Sequence, residues 1–215
     1  MEYKAVIFDL DGTLLDTLQD LADSTNRILQ ERDFPTHEID AYRFFVGSGV
    51  IKLISRALPE KKQNARVIAD CVKAFRKDYG RNWKVSTRLY DGVPELLDAL
   101  SERRVKMTVL SNKPHEFIKL CIQEFFPDWK FEMILGARDG IPIKPDPAGA
   151  NEIAKGLGLS PSKIVYLGDS GVDMTTAVTA GMFPVGALWG FRPEKELKKH
   201  GAVRTIKTPM ELLKI

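Results

Sequence analysis

The amino-acid sequence predicts an α/β protein: a central parallel sheet between two layers of helices, with a small helical domain inserted after the first strand. Three observations carry this. The β-rich apolar run Tyr3 to Phe8 ends in Asp9-Leu10-Asp11-Gly12-Thr13, the pattern of a buried strand entering a tight loop. From Arg88 onward helical and strand patterns alternate, which implies parallel strands joined by right-handed crossovers. Between Leu14 and Lys84 the periodicity is helical, with no convincing strand.

The elements follow in order. Leu18, Leu21, Ala22, Ile28 and Leu29 recur on a helical period, so Asp16 to about Arg32 is a helix, and a second spans roughly Glu38 to Phe45. Val46-Gly47-Ser48-Gly49 breaks the pattern, Val50 to Leu58 resumes it, and Pro59 precedes a helix from about Glu60 to Arg81. Pro94–Arg103, Pro114–Phe125, Pro147–Leu157, Ser170–Ala180 and the stretch near Pro209–Leu213 read as helices. Val105–Leu110, ending in Ser111-Asn112, reads as a strand, as do Phe131–Leu135, Lys163–Leu167 and Phe183–Gly186. The whole is a Rossmann-like three-layer core of residues 1–14 and 85–215, with residues 15–84 expected as a helical cap over the sheet's carboxyl edge. Asp91, Asn112, Asp146 and Asp169 stand where helix N-caps are expected, so several helix N-termini would open at that edge.

Composition narrows the class. With 215 residues, 44% hydrophobic and 28% charged, the chain can bury a substantial core. No apolar run approaches the ~20 residues of a membrane span. The first strand begins almost at once and leaves no room for a secretory signal, so a cytoplasmic protein is expected. Cys71 and Cys121 have no metal or redox spacing and read as buried thiols. The net charge of +3 is spread among interleaved acids and bases, and Lys195, Lys198 and Lys199 read as a solvated helix face rather than a nucleic-acid patch. A monomer or weak dimer is expected.

Four groups of chemically capable residues fall at the carboxyl edge, where open α/β sheets bind ligands. They are Asp9 with Asp11, Ser111, Lys144, and Asp169 with Asp173. Each alone has a structural reading: an Asx turn for the first pair, a turn hydroxyl for Ser111, a surface lysine between prolines for Lys144, an N-cap for Asp169, and a first-turn acid for Asp173. Two carboxylates two residues apart raise each other's pKa unless a cation relieves them. Together, several carboxylates, one fixed cation and hydroxyl or amide donors suit Mg²⁺-assisted phosphoryl transfer.

These motifs resemble those of the haloacid dehalogenase superfamily. Asp9-Leu10-Asp11-Gly12-Thr13-Leu14-Leu15-Asp16-Thr17 matches its first motif, and Leu110-Ser111-Asn112-Lys113-Pro114 the second. Lys144-Pro145-Asp146-Pro147 matches the third, and Gly168-Asp169-Ser170-Gly171-Val172-Asp173 the fourth. The resemblance implies that Asp9 is the nucleophile, forming an aspartyl-phosphate, and Asp11 the general acid and base. It also implies that Ser111, Asn112 and Thr13 bind the phosphoryl group while Lys144 offsets its charge. Mg²⁺ would be held by Asp9, the Asp11 carbonyl and Asp169, with Asp173 in the outer shell. The aspartate at position 11 favours a phosphate-ester hydrolase over carbon–halogen cleavage.

Phe44-Phe45-Val46-Gly47-Ser48-Gly49-Val50 resembles the cap loop of phosphoglycolate phosphatases, and Trp189-Gly190-Phe191-Arg192 is similar to a loop of the same group. Gly47, Ser48, Gly49 and Lys52 are therefore substrate-binding candidates for a small phosphorylated metabolite, with Arg56 a weaker one. The alternatives are a β-phosphoglucomutase-like phosphotransferase, a pyrophosphatase, a nucleotidase, or an inactive binding module on the same scaffold.

Overall fold

A computed structural model describes residues 3–215. The chain forms two compact units, Met1–Leu15 with Leu89–Ile215, and Asp16–Arg88.

The larger unit is built on a six-stranded parallel sheet. Its strands are β1 (Ala5–Phe8), β4 (Lys106–Pro114), β5 (Met133–Ala137), β6 (Ile164–Gly168), β7 (Phe183–Ala187) and β8 (Arg204–Ile206), in the order β5-β4-β1-β6-β7-β8. The first strand is central because its sequence allows it: Ala5, Val6, Ile7 and Phe8 are all buried, as a parallel strand covered on both faces requires. Ala5 pairs with Lys106 on one side and Ile164 on the other, and Phe8 with Val109 and Leu167. The chain runs outward from β1 through β4 to β5, then returns to lay β6 on the opposite side. This reversal places the ends of β1, β4 and β6 around a topological switch point, where such sheets bind ligands.

Helices α5 (Val93–Glu102), α6 (His115–Phe125), α7 (Ala148–Leu157), α8 (Gly171–Thr179) and α9 (Glu194–Lys199) connect the strands. One apolar layer joins Ala5, Ile7, Leu110, Ile153, Tyr166, Ala177 and Met182, so α7 and α8 share a core with β1, β4 and β6. Gly149 lets α7 pack closely, since a Cβ there would sit 2.7 Å from Leu110 Cδ1.

The smaller unit is helical, as expected: α1 (Leu18–Gln30), α2 (Ile39–Phe45), α3 (Val50–Ala57) and α4 (Ala65–Asn82). The expected helix from Glu60 is instead a 3₁₀ turn, Glu60–Lys62, followed by a break at which Asn64 caps α4 by accepting from the Val67 amide at 3.0 Å. Arg27 and Asp78 tie α1 to α4 at 2.6 Å. Asp20, buried in α1, accepts from the Ser86 amide, the Thr87 amide and the Thr87 hydroxyl at 2.9, 2.9 and 2.7 Å. It thereby fixes the returning segment.

Three further expectations are corrected. A short two-stranded ladder, β2 (Leu15–Asp16) with β3 (Arg88–Leu89), occurs where no strand was expected. At two residues per strand it is too short to show a period. The edge strand β8 went unforeseen for the same reason. Of the four segments expected to cap helices, Asp169-Ser170 supplies a side-chain cap through Ser170, whereas the N-caps of α5, α6 and α7 are Gly92, Pro114 and Pro147 without one; Asp146, one residue earlier, accepts from the Ala148 amide at 2.8 Å. Asn112 and Asp169 are spent on the site itself.

Cys71 and Cys121 are buried free thiols. Among the described residues no helix is long and apolar enough to cross a membrane.

Candidate active site

Three central strands deliver the chemistry. Asp9 directly follows β1, Ser111 lies within β4, and Asp169 directly follows β6. The β4 strand runs past its expected end to Pro114, and its pairing with β5 shifts between Leu110 and Pro114. Such an irregularity re-aims side chains and is common beside active sites. Here Ser111, Asn112 and Lys113 are all buried in succession.

Lys144 reaches this edge from the loop between β5 and α7. Asn112 secures the loop reciprocally: its Nδ2 donates to the Lys144 carbonyl and its Oδ1 accepts from the Lys144 amide, both at 2.9 Å. The Lys144 ammonium then donates to the Leu110 carbonyl at 3.0 Å, Asp173 at 2.6 Å and Asp9 Oδ1 at 2.9 Å. Burial alone would lower its pKa, but the carboxylates of Asp173 and Asp9 outweigh burial and hold it well above the usual lysine value.

Asp9 is pushed up to about 7, first by burial and then by the charge of Asp173, with Lys144 opposing. The expected repulsion from Asp11 is the smallest of these influences. Asp11 faces a second buried lysine instead: Lys113 Nζ donates to Asp11 Oδ1 at 2.9 Å. Lys113 stands in the second motif, but its role is not local: its partner lies 102 residues away. Asp9 Oδ1 also accepts from the Leu10 amide at 2.7 Å, while Oδ2 has no hydrogen-bond partner among the described residues.

Asp173 has two duties. Oδ1 receives Lys144, and Oδ2 accepts from the Ser170 hydroxyl at 2.6 Å and amide at 3.1 Å, closing a capping box on α8. Asp169 accepts from the Phe191 amide at 2.7 Å and the Thr13 hydroxyl at 3.5 Å. Its pKa is raised by burial and by the charges of Asp173 and Asp9. The Trp189–Arg192 loop singled out from sequence thus packs on the site; Trp189 Nε1 also donates to the Thr13 carbonyl at 3.0 Å. The Ser111 hydroxyl accepts from the Lys113 amide at 3.3 Å.

Asp9, Asp169 and Asp173 each offer a carboxylate oxygen within 4.8 Å of the others, so this buried triad could hold a metal ion. Backbone is shaped to the same end. A Cβ on Gly12, whose φ is +86°, would fall 2.3 Å from Asp169 Oδ2, and one on Gly190 would fall 2.2 Å from Asp169 Cβ. Only glycine leaves the carboxylate its place. A donor set of hard oxygens without nitrogen or sulfur fits Mg²⁺ or Ca²⁺ rather than zinc. The Asp11 carboxylate, spent on Lys113, is not part of the triad.

The remaining candidates lie in the helical unit. Gly47 and Gly49 take φ of +106° and +82° on either side of Ser48. Arg56 braces this loop, donating to the Phe45 carbonyl at 2.9 Å and the Ser48 hydroxyl at 3.2 Å. Lys52 is exposed.

Comparison with known proteins agrees with this geometry. Residues 6–187 match the model of the haloacid dehalogenase-like hydrolases. The chain belongs to that family. It is 34% identical over 196 residues to a phosphoglycolate phosphatase of Haemophilus influenzae, covering 88% of each chain. A crystal structure from Lactobacillus delbrueckii subsp. bulgaricus has a TM-score of 0.92 at 32% identity, covering 99% of this chain and 97% of that one. A predicted phosphoglycolate phosphatase from Haemophilus somnus also gives 0.92, at 29% identity and with 100% and 98% covered. The chain is therefore an enzyme of the hydrolase class, and its α/β fold is that of its structural relatives.

Proposed function

We propose that this phosphatase hydrolyses a small phosphate monoester of the phosphoglycolate type through an aspartyl-phosphate on Asp9. The supporting observation is that Lys144, fully buried, holds the Asp9 carboxylate at 2.9 Å while Lys113 holds Asp11 separately at 2.9 Å. One acid is thereby kept as a nucleophile and the other as a proton carrier. An Asp9 oxygen forms the bond to phosphorus as the ester P–O bond breaks, and Asp11 gives its proton to the departing alkoxide. Asp11 then takes a proton from water, whose oxygen attacks phosphorus, breaking the Asp9–P bond and releasing inorganic phosphate. Lys113 occupies Asp11 Oδ1, which leaves Oδ2 to carry the proton.

Ser111 and the Asn112 amide are proposed to bind non-bridging phosphoryl oxygens, with Thr13 beside them. Mg²⁺ would be held by Asp9, Asp169 and the Asp11 carbonyl, with Asp173 beyond them, and when bound supplies positive charge for the phosphoryl oxygens. Gly47, Ser48, Gly49 and Lys52 are proposed to select the leaving group. Lys52 is suited to a carboxylate, the feature that distinguishes phosphoglycolate from most sugar phosphates. A cytoplasmic monomer or weak dimer completes the proposal.

The test is phosphate release by the purified protein with Mg²⁺ from 2-phosphoglycolate, sugar phosphates, nucleotides and pyrophosphate. The expected result is the highest kcat/KM on 2-phosphoglycolate and no turnover by Asp9→Asn. Preference for a sugar phosphate, nucleotide or pyrophosphate would reassign the substrate, and near-normal activity of Asp9→Asn would remove the nucleophile.

A further inference from the structure

Within residues 139–146 Lys144 alone is buried; its neighbours on both sides are exposed. Ile141 and Ile143 are 41% and 40% exposed, so the loop gains little from apolar contact. Yet it carries a charged lysine inward to 4% exposure, and burying a charge is costly. Something other than apolar packing holds this segment in place.

Two sets of contacts do so. The first belongs to the ammonium, which meets the Leu110 carbonyl at 3.0 Å and the carboxylates of Asp173 at 2.6 Å and Asp9 at 2.9 Å. The second belongs to the backbone. Asn112 Nδ2 donates to the Lys144 carbonyl and Asn112 Oδ1 accepts from the Lys144 amide, both at 2.9 Å. This reciprocal pairing needs one donor and one acceptor on the same group, which a side-chain amide has and a carboxylate lacks. Asn112 is itself 5% exposed and set in β4, where the register with β5 shifts.

The two sets respond differently to the chemistry proposed above. Asp9 and Asp173 belong to the triad that could hold a metal ion, and Asp9 is the proposed nucleophile. A cation among these carboxylates, or ester formation at Asp9, weakens their attraction for the ammonium. The Asn112 pair carries no net charge and does not change with them.

We propose that the Asn112 side chain is a positioning residue for Lys144: its amide clamps the loop backbone, so the ammonium stays at the reacting group while the charges around it change. The role in turnover rests on the aspartyl-phosphate reading of the site. It leaves the phosphoryl contact proposed for Asn112 to its backbone amide alone.

The test is Asn112→Ala in the full chain, with two readouts. The first is the rate at which an amine-acylating reagent labels Lys144, followed by mass spectrometry, with the equally buried Lys113 as internal control. Wild-type Lys144 is expected to stay protected in chelator and in Mg²⁺ alike. In the variant it is expected to be labelled about 30-fold faster, the factor for two lost hydrogen bonds, while Lys113 stays protected. The second readout is kcat with Mg²⁺ on the phosphoester that the wild type turns over best, expected to fall about 10²-fold. Asn112→Asp has the same shape and keeps the acceptor for the Lys144 amide, but sets a second acceptor against the Lys144 carbonyl. It is expected to move both readouts in the same direction.

Lys144 still protected in both variants overturns the proposal, and so does a wild type that loses protection in Mg²⁺. Fast labelling with kcat within about two-fold of wild type overturns the positioning role. Exposure of Lys113 together with Lys144 in both variants would mark the side chain as part of the general fold, and overturns it too. A wild type that releases no phosphate from any phosphoester overturns the phosphatase reading, and the kcat readout with it. Labelling then still decides whether Asn112 holds Lys144.

Discussion

Moving the metal-free protein from pH 5 to pH 8 is expected to destabilise it, the reverse of ordinary acid denaturation. The cause lies in the acidic triad. Asp9 titrates at about 7 instead of 3.8, because burial and Asp173 disfavour its charge, and Asp169 is raised for the same reasons. Between about pH 4 and 7 the folded protein therefore binds more protons here than the unfolded chain does. Stability falls as pH rises through that window and levels off above it. At ~1.4 kcal/mol per pKa unit, the part of the Asp9 displacement that lies between pH 5 and 7 amounts to about 3 kcal/mol. For a protein of this size that is roughly 8 °C in melting temperature. Mg²⁺ at about 100 times its dissociation constant would return ~2.7 kcal/mol at pH 8 but little at pH 5, where protons hold the same oxygens. Thermal melts at both pH values, with chelator or with Mg²⁺, read this directly. Asp169→Asn serves as the control, since it is expected to flatten the pH slope and abolish the Mg²⁺ response. A metal-free melting temperature that rises from pH 5 to pH 8 relative to Asp169→Asn would refute the reasoning. So would a Mg²⁺ response independent of pH.

Other perturbations separate the parts of the molecule. Lys113→Met leaves Asp11 without its cation in a pocket where the two side chains are only 3% and 12% exposed; a loss of about 3 kcal/mol in denaturant titration and about 10²-fold in kcat is expected. Gly190→Ala forces a Cβ against Asp169 and is expected to remove the Mg²⁺-dependent rise in melting temperature, with a smaller effect of about 1–3 kcal/mol on the metal-free protein. Asp20→Ala strands three donors of Ser86 and Thr87 and is expected to destabilise the helical unit by about 2–4 kcal/mol, read by hydrogen exchange in α1 and α4. Lys52→Ala is expected to raise KM for 2-phosphoglycolate about ten-fold while leaving kcat and KM for an uncharged leaving group unchanged.

What could be read in the sequence followed from the range of the signal. The β1 strand and the residues after it were legible because apolar runs, loop glycines and acids at fixed spacing are local patterns. The same holds for α1, where Leu18, Leu21, Ile28 and Leu29 mark the buried face. The parallel sheet was legible because helix–strand alternation leaves few ways to close one. What escaped was either too short or too distant. The β2–β3 ladder has two residues per strand, and Asn64 was not separated from the helix it caps. Asp20 is defined by Ser86 and Thr87, more than sixty residues away.

The two aspartates of the first motif illustrate the distinction in physical terms. From spacing alone, Asp9 and Asp11 look like one electrostatic problem, two like charges that must be relieved together. The fold makes them two problems with separate solutions. Asp9 points into a layer containing Asp169 and Asp173, so one lysine must serve two carboxylates, and the residual negative charge invites a cation. Asp11 is served by Lys113 alone and needs nothing further. A group left in residual negative potential binds a cation and an electrophile well. Asp11, by contrast, already has its own cation at 2.9 Å. The proposed division of labour between nucleophile and proton carrier rests on the separate placement of Lys144 and Lys113.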